Sequence, residues 1–212
     1  MIRCVVFDFD GTLVLSNDIK REGFFASVAE CSGGAERMTA ILARPPGDRY
    51  AIFRRFAEEA GGDADELAAW YGNWCEKRIL VSPERPGAAL ALTQLRHAGV
   101  SVHVNSATPT VLLRSLVLRR YGEGSFNGVH GGHGAKVANL EAVLRQEQLL
   151  PASLAMVGDG IDDRDAALTV GCRFVGVGGG TLAAAAPDEN LLDTLECLWP
   201  LLRDETAKEM PV

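Results

Sequence analysis

The chain has 212 residues, 47% hydrophobic and 23% charged, the balance of an ordinary folded protein with room for one full core and a smaller second unit. Its net charge of -7 argues against a general binder of nucleic acid or of anionic membrane, although an acidic protein can still take up phosphates through a metal and a few local cations. The five cysteines, Cys4, Cys31, Cys75, Cys172 and Cys197, are scattered without CxxC spacing, which argues against a zinc site or a disulfide framework and fits a reducing cytoplasm.

In chain order, Ile2 to Phe7 is an apolar run that predicts a buried strand, and it ends in Asp8 and Asp10. The apolar start is too short for a signal segment, and nothing later reaches membrane-spanning length, so the expectation is a cytoplasmic protein without membrane contact. Helical spacing follows from Ile19 through Phe24, Phe25 and Val28 to about Glu30, with Ser16, Asn17 or Asp18 as cap. A short helix over Glu36 to Ala43 leads into the loop Arg44-Pro45-Pro46-Gly47-Asp48. Tyr50 to Ala60 is helical with Ile52, Phe53 and Phe56 buried, and a fourth helix starts at Asp63 or Asp65 and carries Leu67, Trp70, Tyr71 and Trp74, its aromatics expected in the core.

The stretch Val81 to Gly87, with Pro83 and Pro86, reads as a linker. Beyond it helices and strands alternate: helices over Ala88–Ala98, Pro109–Tyr121, Lys136–Leu149 and Asp163–Val170, and strands over Val100–Asn105, Phe126–Val129, Leu154–Val157 and Arg173–Val177. Such alternation predicts an α/β fold with a doubly wound parallel sheet, the opening strand at its centre. The expected division is a core of residues 1–14 and 85–212, with 15–84 as a helical insertion. Gly178-Gly179-Gly180 and Ala183 to Ala186 read as loop and short helix, without the spacing of a nucleotide-binding fingerprint.

Polar groups gather at the predicted strand ends, where open α/β sheets place their chemistry. Asp8 and Asp10 are two residues apart, repel one another, and are best reconciled by a cation such as magnesium. Gly11 allows a sharp turn, and Thr12 offers a hydroxyl and an amide nearby. Ser106 follows Asn105 at the end of its strand and is suited to a phosphate oxygen or to capping the next helix together with Thr108 and Pro109. Lys136 opens a helix, where its charge opposes the helix dipole, which suggests a role facing carboxylates and phosphate. His130 and His133 read as loop residues. Gly158-Asp159-Gly160-Ile161-Asp162-Asp163 ends another strand, with Asp159 and Asp163 facing the first pair to complete an oxygen-rich site; Asp162 and Asp165 read as helix N-terminal acids. The acid spacing is not that of an EF-hand, which also needs a closing Glu.

Asp8-Phe9-Asp10-Gly11-Thr12 resembles the first signature of the haloacid dehalogenase-like phosphohydrolases, and Ser106, Lys136 and Gly158-Asp159 to Asp163 are similar to the remaining three, in the same order. The resemblance implies a Rossmann-like core and, in residues 15–84, a helical cap similar to that of phosphoglycolate phosphatases and β-phosphoglucomutases. It further implies that Asp8 is the nucleophile and Asp10 the acid and base, and that Ser106 and Lys136 hold the phosphoryl group, with Thr12 and Asn105 nearby. Magnesium is expected at Asp8, Asp10 (through its backbone carbonyl), Asp159 and Asp163. Lys20, Arg44 and Arg49 are the expected cap contacts to the leaving group of a small phosphorylated metabolite, in a monomer or homodimer.

Haloacid enzymes characteristically lack the second aspartate, so Asp10 argues against C–halogen hydrolysis. A phosphosugar mutase is the main alternative; the resembling mutases carry a His on the first cap helix, where Lys20 stands here, and residues 14–85 contain no His. A phosphonoacetaldehyde-type hydrolase would need Lys20 or Lys77 as a Schiff base and has a different first signature. A non-catalytic binding protein on the same fold would show degraded signatures.

Overall fold

The computed structural model describes residues 1–185 and 191–204. By contact it divides into two compact units, Met1–Leu15 with Pro83–Val212, and Ser16–Ser82.

The larger unit contains five parallel strands, β1 (Cys4–Phe7), β2 (Ser101–Ser106), β3 (Gly128–Gly131), β4 (Leu154–Gly158) and β5 (Arg173–Gly176), in the order β3-β2-β1-β4-β5. The doubly wound parallel sheet is thus the expected one, and β1 is central because every one of its residues is apolar and buried, as a strand covered on both faces requires. Cys4 pairs with Ser101 on one side and Leu154 on the other, which brings the ends of β1, β2 and β4 level. The helices α5 (Ala88–His97), α6 (Thr110–Tyr121), α7 (Lys136–Glu147) and α8 (Ile161–Val170) alternate with these strands. One apolar cluster joins Cys4, Val6, Leu154 and Met156 of the sheet to Leu140, Val143, Ala166 and Ala167 of α7 and α8. Two short helices follow, Thr181–Ala185 and Leu198–Arg203; residue 186, where the first was expected to end, lies outside the described residues.

The third strand begins two residues later than the spacing predicts. Asn127 donates its backbone N–H to the Val102 carbonyl (2.7 Å) and accepts the Val102 N–H on its side chain (2.9 Å), while Phe126 packs edge-on against Tyr121. A side chain replaces the ladder at that point, so pairing starts at Gly128 and places His130 in the strand rather than in a loop.

The smaller unit holds the four expected helices, α1 (Asn17–Ser27), α2 (Gly34–Ala43), α3 (Arg49–Ala60) and α4 (Ala64–Ile79). Asp48 caps α3 by accepting the Ala51 N–H, and Asp63 caps α4 by accepting from Asp65 and Glu66. Phe24, Phe53 and Tyr71 form its aromatic core. Trp70 corrects the expectation that the α4 aromatics are all in the core: it is 45% exposed, because the buried stripe of α4 runs through Ala68, Tyr71, Cys75 and Ile79. It stacks on Trp74, whose other partner is Arg78.

His103, fully buried in β2, lies between Glu147 (Nε2 to Oε1 3.0 Å) and His130 (Nδ1 to Nε2 3.2 Å), and Ser101 donates to the other Glu147 oxygen at 2.7 Å. This chain closes with one proton per imidazole: His103 donates to Glu147 and accepts from His130. A second proton on His103 would set N–H against N–H. Burial holds both imidazoles below the ordinary value of 6.5, with the Glu147 hydrogen bond opposing at His103 and the neighbouring His103 and Arg114 adding to the shift at His130. A depressed histidine pKa stabilises the fold fully above the unfolded value and loses that contribution as pH falls below it toward the folded value. The melting-temperature advantage of the wild type over His103→Gln should therefore shrink by roughly 2–4 °C between pH 7.5 and 5.5. A difference that does not change with pH contradicts this assignment.

Candidate active site

β1 stops at Phe7, so Asp8 is the first residue beyond it and Asp10 belongs to the turn that follows. Gly11 sits at φ 79° and donates to the Val14 carbonyl at 2.7 Å, and both Leu13 and Val14 donate back to Phe9. A left-handed residue is required to close this turn, and glycine adopts that conformation without strain.

The turn sends the two carboxylates in different directions. The side chain of Asp8 faces the end of β4 and the start of α7: its Oδ1 is 3.6 Å from Lys136 Nζ, and Asp8, Asp159 and Asp163 offer carboxylate oxygens all within 4.8 Å of one another. Asp10 instead faces the end of β2, where its Oδ2 accepts from Thr108 Oγ1 at 2.9 Å and from Ser106 Oγ at 3.5 Å. The side chains of this pair do not share one cluster, because strand alternation ends at Phe7.

Asp159 accepts from Thr12 Oγ1 at 3.2 Å. Asp163 accepts the Gly160 N–H on Oδ2 at 3.0 Å and Lys136 Nζ on Oδ1, so both its oxygens are engaged. Gly158 and Gly180 are required by proximity: a Cβ at Gly158 would lie 2.3 Å from the Asp163 carboxyl carbon, and one at Gly180 would lie 2.1 Å from Asp159 Oδ2.

The electrostatics follow from burial. Asp8 is 6% exposed, and desolvation raises its pKa well above the carboxylate range; Lys136 opposes this, while Asp163, Asp159 and Asp10 add to it. Burial likewise pushes Asp163 up to about 7 against the pull of Lys136. Burial disfavours the charge on Lys136, yet Asp8, Asp163 and Asp162 outweigh it and hold its pKa above the ordinary lysine range. Three buried carboxylates around one ammonium leave a surplus of negative charge, and Asp8 Oδ1 is buried without a hydrogen-bond donor. An all-oxygen donor set with surplus charge and an orphaned acceptor fits a hard divalent cation.

Several site residues stand differently from the sequence reading. Asn105, expected near substrate, is fully buried; its amide donates to the Lys136 carbonyl (3.0 Å) and its oxygen accepts from Asn139 (2.9 Å), so it anchors the start of α7 instead of facing a ligand. The hydroxyl of Thr12 is directed to Asp159. Asp162, read as a plain helix N-terminal acid, reaches Lys136 Nζ at 3.0 Å. Thr108, read only as part of a helix start, is the nearer donor to Asp10; its place two residues beyond Ser106 was the available signal. Arg85, read as linker, is 6% exposed and bonds the turn itself through the carbonyls of Gly11 and Thr12. Lys20, Arg44 and Arg49 belong to the smaller unit. Within it, Lys20 is half-buried on α1, exposed Arg44 lines a groove with Pro46, Arg55 and Glu59, and the Arg49 guanidinium lies over the Tyr71 ring at 5.2 Å.

A doubly wound parallel sheet with a buried carboxylate cluster at the ends of its central strands, faced by a lysine from the helix that follows the edge strand β3, defines the class of protein. The family model of the haloacid dehalogenase-like hydrolases matches residues 2–171, and the chain belongs to that family. Comparison with curated proteins found no match. Among solved structures, a predicted phosphoglycolate phosphatase from Haemophilus somnus 129PT is similar over 95% of this chain and 98% of its own, with 20% identity and a TM-score of 0.75. CbbY from Rhodobacter sphaeroides, solved with phosphate, is similar over 93% of this chain and 96% of its own, with 19% identity and a TM-score of 0.73. A mutant of CbbY solved with xylulose-(1,5)-bisphosphate gives 92% and 96% coverage, 18% identity and a TM-score of 0.72. At these identities the likeness is one of fold.

Among the described residues, no helix is long and apolar enough to cross a membrane.

Proposed function

We propose that the protein is a magnesium-dependent phosphatase that hydrolyses a small organic phosphate monoester through an aspartyl-phosphate on Asp8. The observation that carries this reading is the buried, donor-less Asp8 Oδ1 facing Lys136 beside Asp159 and Asp163. The phosphate and phosphosugar complexes of a protein with the same fold support the substrate class.

In the first step an Asp8 oxygen attacks phosphorus, the bond from phosphorus to the ester oxygen breaks, and Asp10 delivers a proton to the departing alcohol. In the second, Asp10 takes a proton from water, the water oxygen attacks phosphorus, and the Asp8–phosphorus bond breaks to return the carboxylate and release phosphate. Thr108 holds Asp10 in place for both steps. Lys136 and the Ser106 hydroxyl hold the nonbridging oxygens as charge develops. Magnesium would be held by Asp8, the Asp10 backbone carbonyl and Asp159, with Asp163 behind them, and would supply charge neutralisation between carboxylate and phosphate.

The test is hydrolysis of an aryl phosphate by purified protein. Turnover should require Mg2+, cease in excess EDTA and return when Mg2+ is restored; full activity in EDTA contradicts the reading.

In the same reading residues 15–84 are a cap that selects the leaving group, the protein works in the cytoplasm as a monomer or homodimer, and neither nucleic acid nor membrane is a partner. Arg44 and Arg49 flank a loop of two prolines and a glycine, and such guanidinium groups suit a carboxylate, a second phosphate or sugar hydroxyls. Lys20 adds a third cation to this reading. Arg44→Ala or Arg49→Ala should raise KM for the natural organic phosphate roughly tenfold, the scale of one charge-assisted contact, and leave a small aryl phosphate nearly unchanged. Equal effects on both substrates, measured side by side, would remove these arginines from recognition.

A further inference from the structure

Arg85 stands between Glu84 and Pro86 in a stretch whose prolines read as a linker, yet it is among the buried charged residues of the larger unit. A guanidinium carries five N–H donors in one plane. Here Nε donates to the Thr12 carbonyl at 3.1 Å, Nη1 to the Asp193 carbonyl at 2.9 Å, and Nη2 to the carbonyls of Gly11 and, at 2.6 Å, Gly178. Its backbone N–H also donates to Leu13 at 3.0 Å. One side chain therefore ties together the turn after β1 and the segment after β5.

Both loops touch Asp159. From the first, Thr12 Oγ1 donates to Asp159 Oδ1. From the second, Leu182 donates its N–H to the Asp159 carbonyl at 3.0 Å, and Gly180 lies against the carboxylate so closely that only hydrogen fits there. Among the described residues no carboxylate is in ion-pair contact with Arg85, and the hydrogen bonds of its guanidinium all go to carbonyls. Burial works against its charge, and Asp159 and Asp193 favour that charge only from beyond ion-pair distance; a guanidinium buried on these terms is a costly way to stabilise a fold, and an apolar side chain would fill the space at lower cost. What an apolar side chain cannot do is hold four carbonyls, two from the turn after β1 and one each from Gly178 and Asp193, at fixed spacing.

We propose that Arg85 is a positioning residue for phosphoryl transfer, its guanidinium setting the turn that carries Asp10 and Thr12 against the loop that follows β5, so that Asp10 and Asp159 stand in working position before substrate arrives. The proposal rests on the phosphatase reading above. It differs from that reading in assigning work to a residue that touches neither substrate nor the reacting atoms.

The test compares full-length wild type, Arg85→Ala and Arg85→Lys with an aryl phosphate and Mg2+. In Arg85→Ala, kcat should fall about 10²-fold with KM within roughly threefold, the pattern of a displaced catalytic group with intact ground-state binding. Arg85→Lys keeps the charge, but a single nitrogen cannot span both loops, and its kcat should lie between the two. Added guanidinium ion, at concentrations far below those that unfold the chain, should raise kcat of Arg85→Ala and leave wild type unaffected. Hydrogen exchange supplies a readout apart from activity: amides of residues 10–14 and 176–182 should exchange faster in Arg85→Ala while β1 and β4 keep their protection. Unchanged kcat in Arg85→Ala overturns the proposal, as does a Lys variant equal to wild type. A uniform loss of protection across the sheet with no rescue by lysine or guanidinium also overturns it, since that marks a general structural role. Should Arg85→Ala fail to fold, the kcat of Arg85→Lys and its local exchange decide. A wild type with no hydrolysis defeats the phosphatase reading, and the exchange pattern then still decides whether Arg85 clamps the two loops.

Discussion

Replacing Asp8 with asparagine should lower kcat by roughly 10⁴-fold or more, the scale on which loss of a covalent nucleophile acts, and should do so without unfolding the chain. A carboxamide has no anionic oxygen with which to attack phosphorus. The stability side of the prediction follows from the same environment. Burial together with Asp163, Asp159 and Asp10 disfavours the Asp8 carboxylate, and Lys136 at 3.6 Å offsets this only in part. A neutral amide of the same shape escapes that repulsion, so in the absence of metal the Asp8→Asn protein should melt at the same temperature as wild type or above it. Loss of activity with retained or raised melting temperature is the signature of a group kept for chemistry at some cost to the fold. Appreciable turnover in Asp8→Asn, measured against a wild-type control prepared in parallel, contradicts the role assigned to it.

Lys136→Ala should affect rate and stability together. Losing a charged contact to the developing phosphoryl charge costs about 2.7–4 kcal/mol, or roughly 10²–10³ in kcat/KM. The ammonium also sits within reach of Asp8, Asp162 and Asp163, with its side chain only 8% exposed. Breaking such a buried network by removing one partner costs about 3–5 kcal/mol, because the remaining charges are left uncompensated. The variant should therefore melt well below wild type in EDTA, and Mg2+ should recover part of the loss by replacing the missing positive charge. A Lys136→Ala protein with unchanged kcat/KM and unchanged melting temperature would mark the lysine as incidental to the site.

Much of the arrangement was legible because it depends on local pattern. β1 reads as a central strand since Cys4 to Phe7 is apolar without alternation, and the acids that interrupt it at Asp8 and Asp10 mark where the strand must stop. Asp159 and Asp163 were visible for the same reason, a polar cluster directly after an apolar strand. What was not legible depends on long-range geometry. Nothing within Pro83 to Gly87 tells that Arg85 folds back onto Gly11 and forward onto Gly178, because those partners are 74 and 93 residues away. Asn105 looked available because it ends a strand, and only the pairing of β2 with the start of α7 shows its amide committed to Lys136 and Asn139. The start of β3 was misplaced because Asn127 substitutes a side chain for the ladder, and Trp70 because the α4 stripe that packs inward is decided by its neighbours in the smaller unit.

The covalent step is the central claim, and rapid-quench analysis with a phosphate ester labelled in its phosphoryl group tests it most directly. Acid-quenched wild-type protein should carry label within the first turnover, on the peptide that contains Asp8, and hydroxylamine should remove it as it does an acyl phosphate. With a good leaving group the Asp10→Asn protein should hold that label longer, because the base that activates water is gone. Steady turnover with no label on Asp8 in either protein at any quench time would contradict the account and point to direct attack by water.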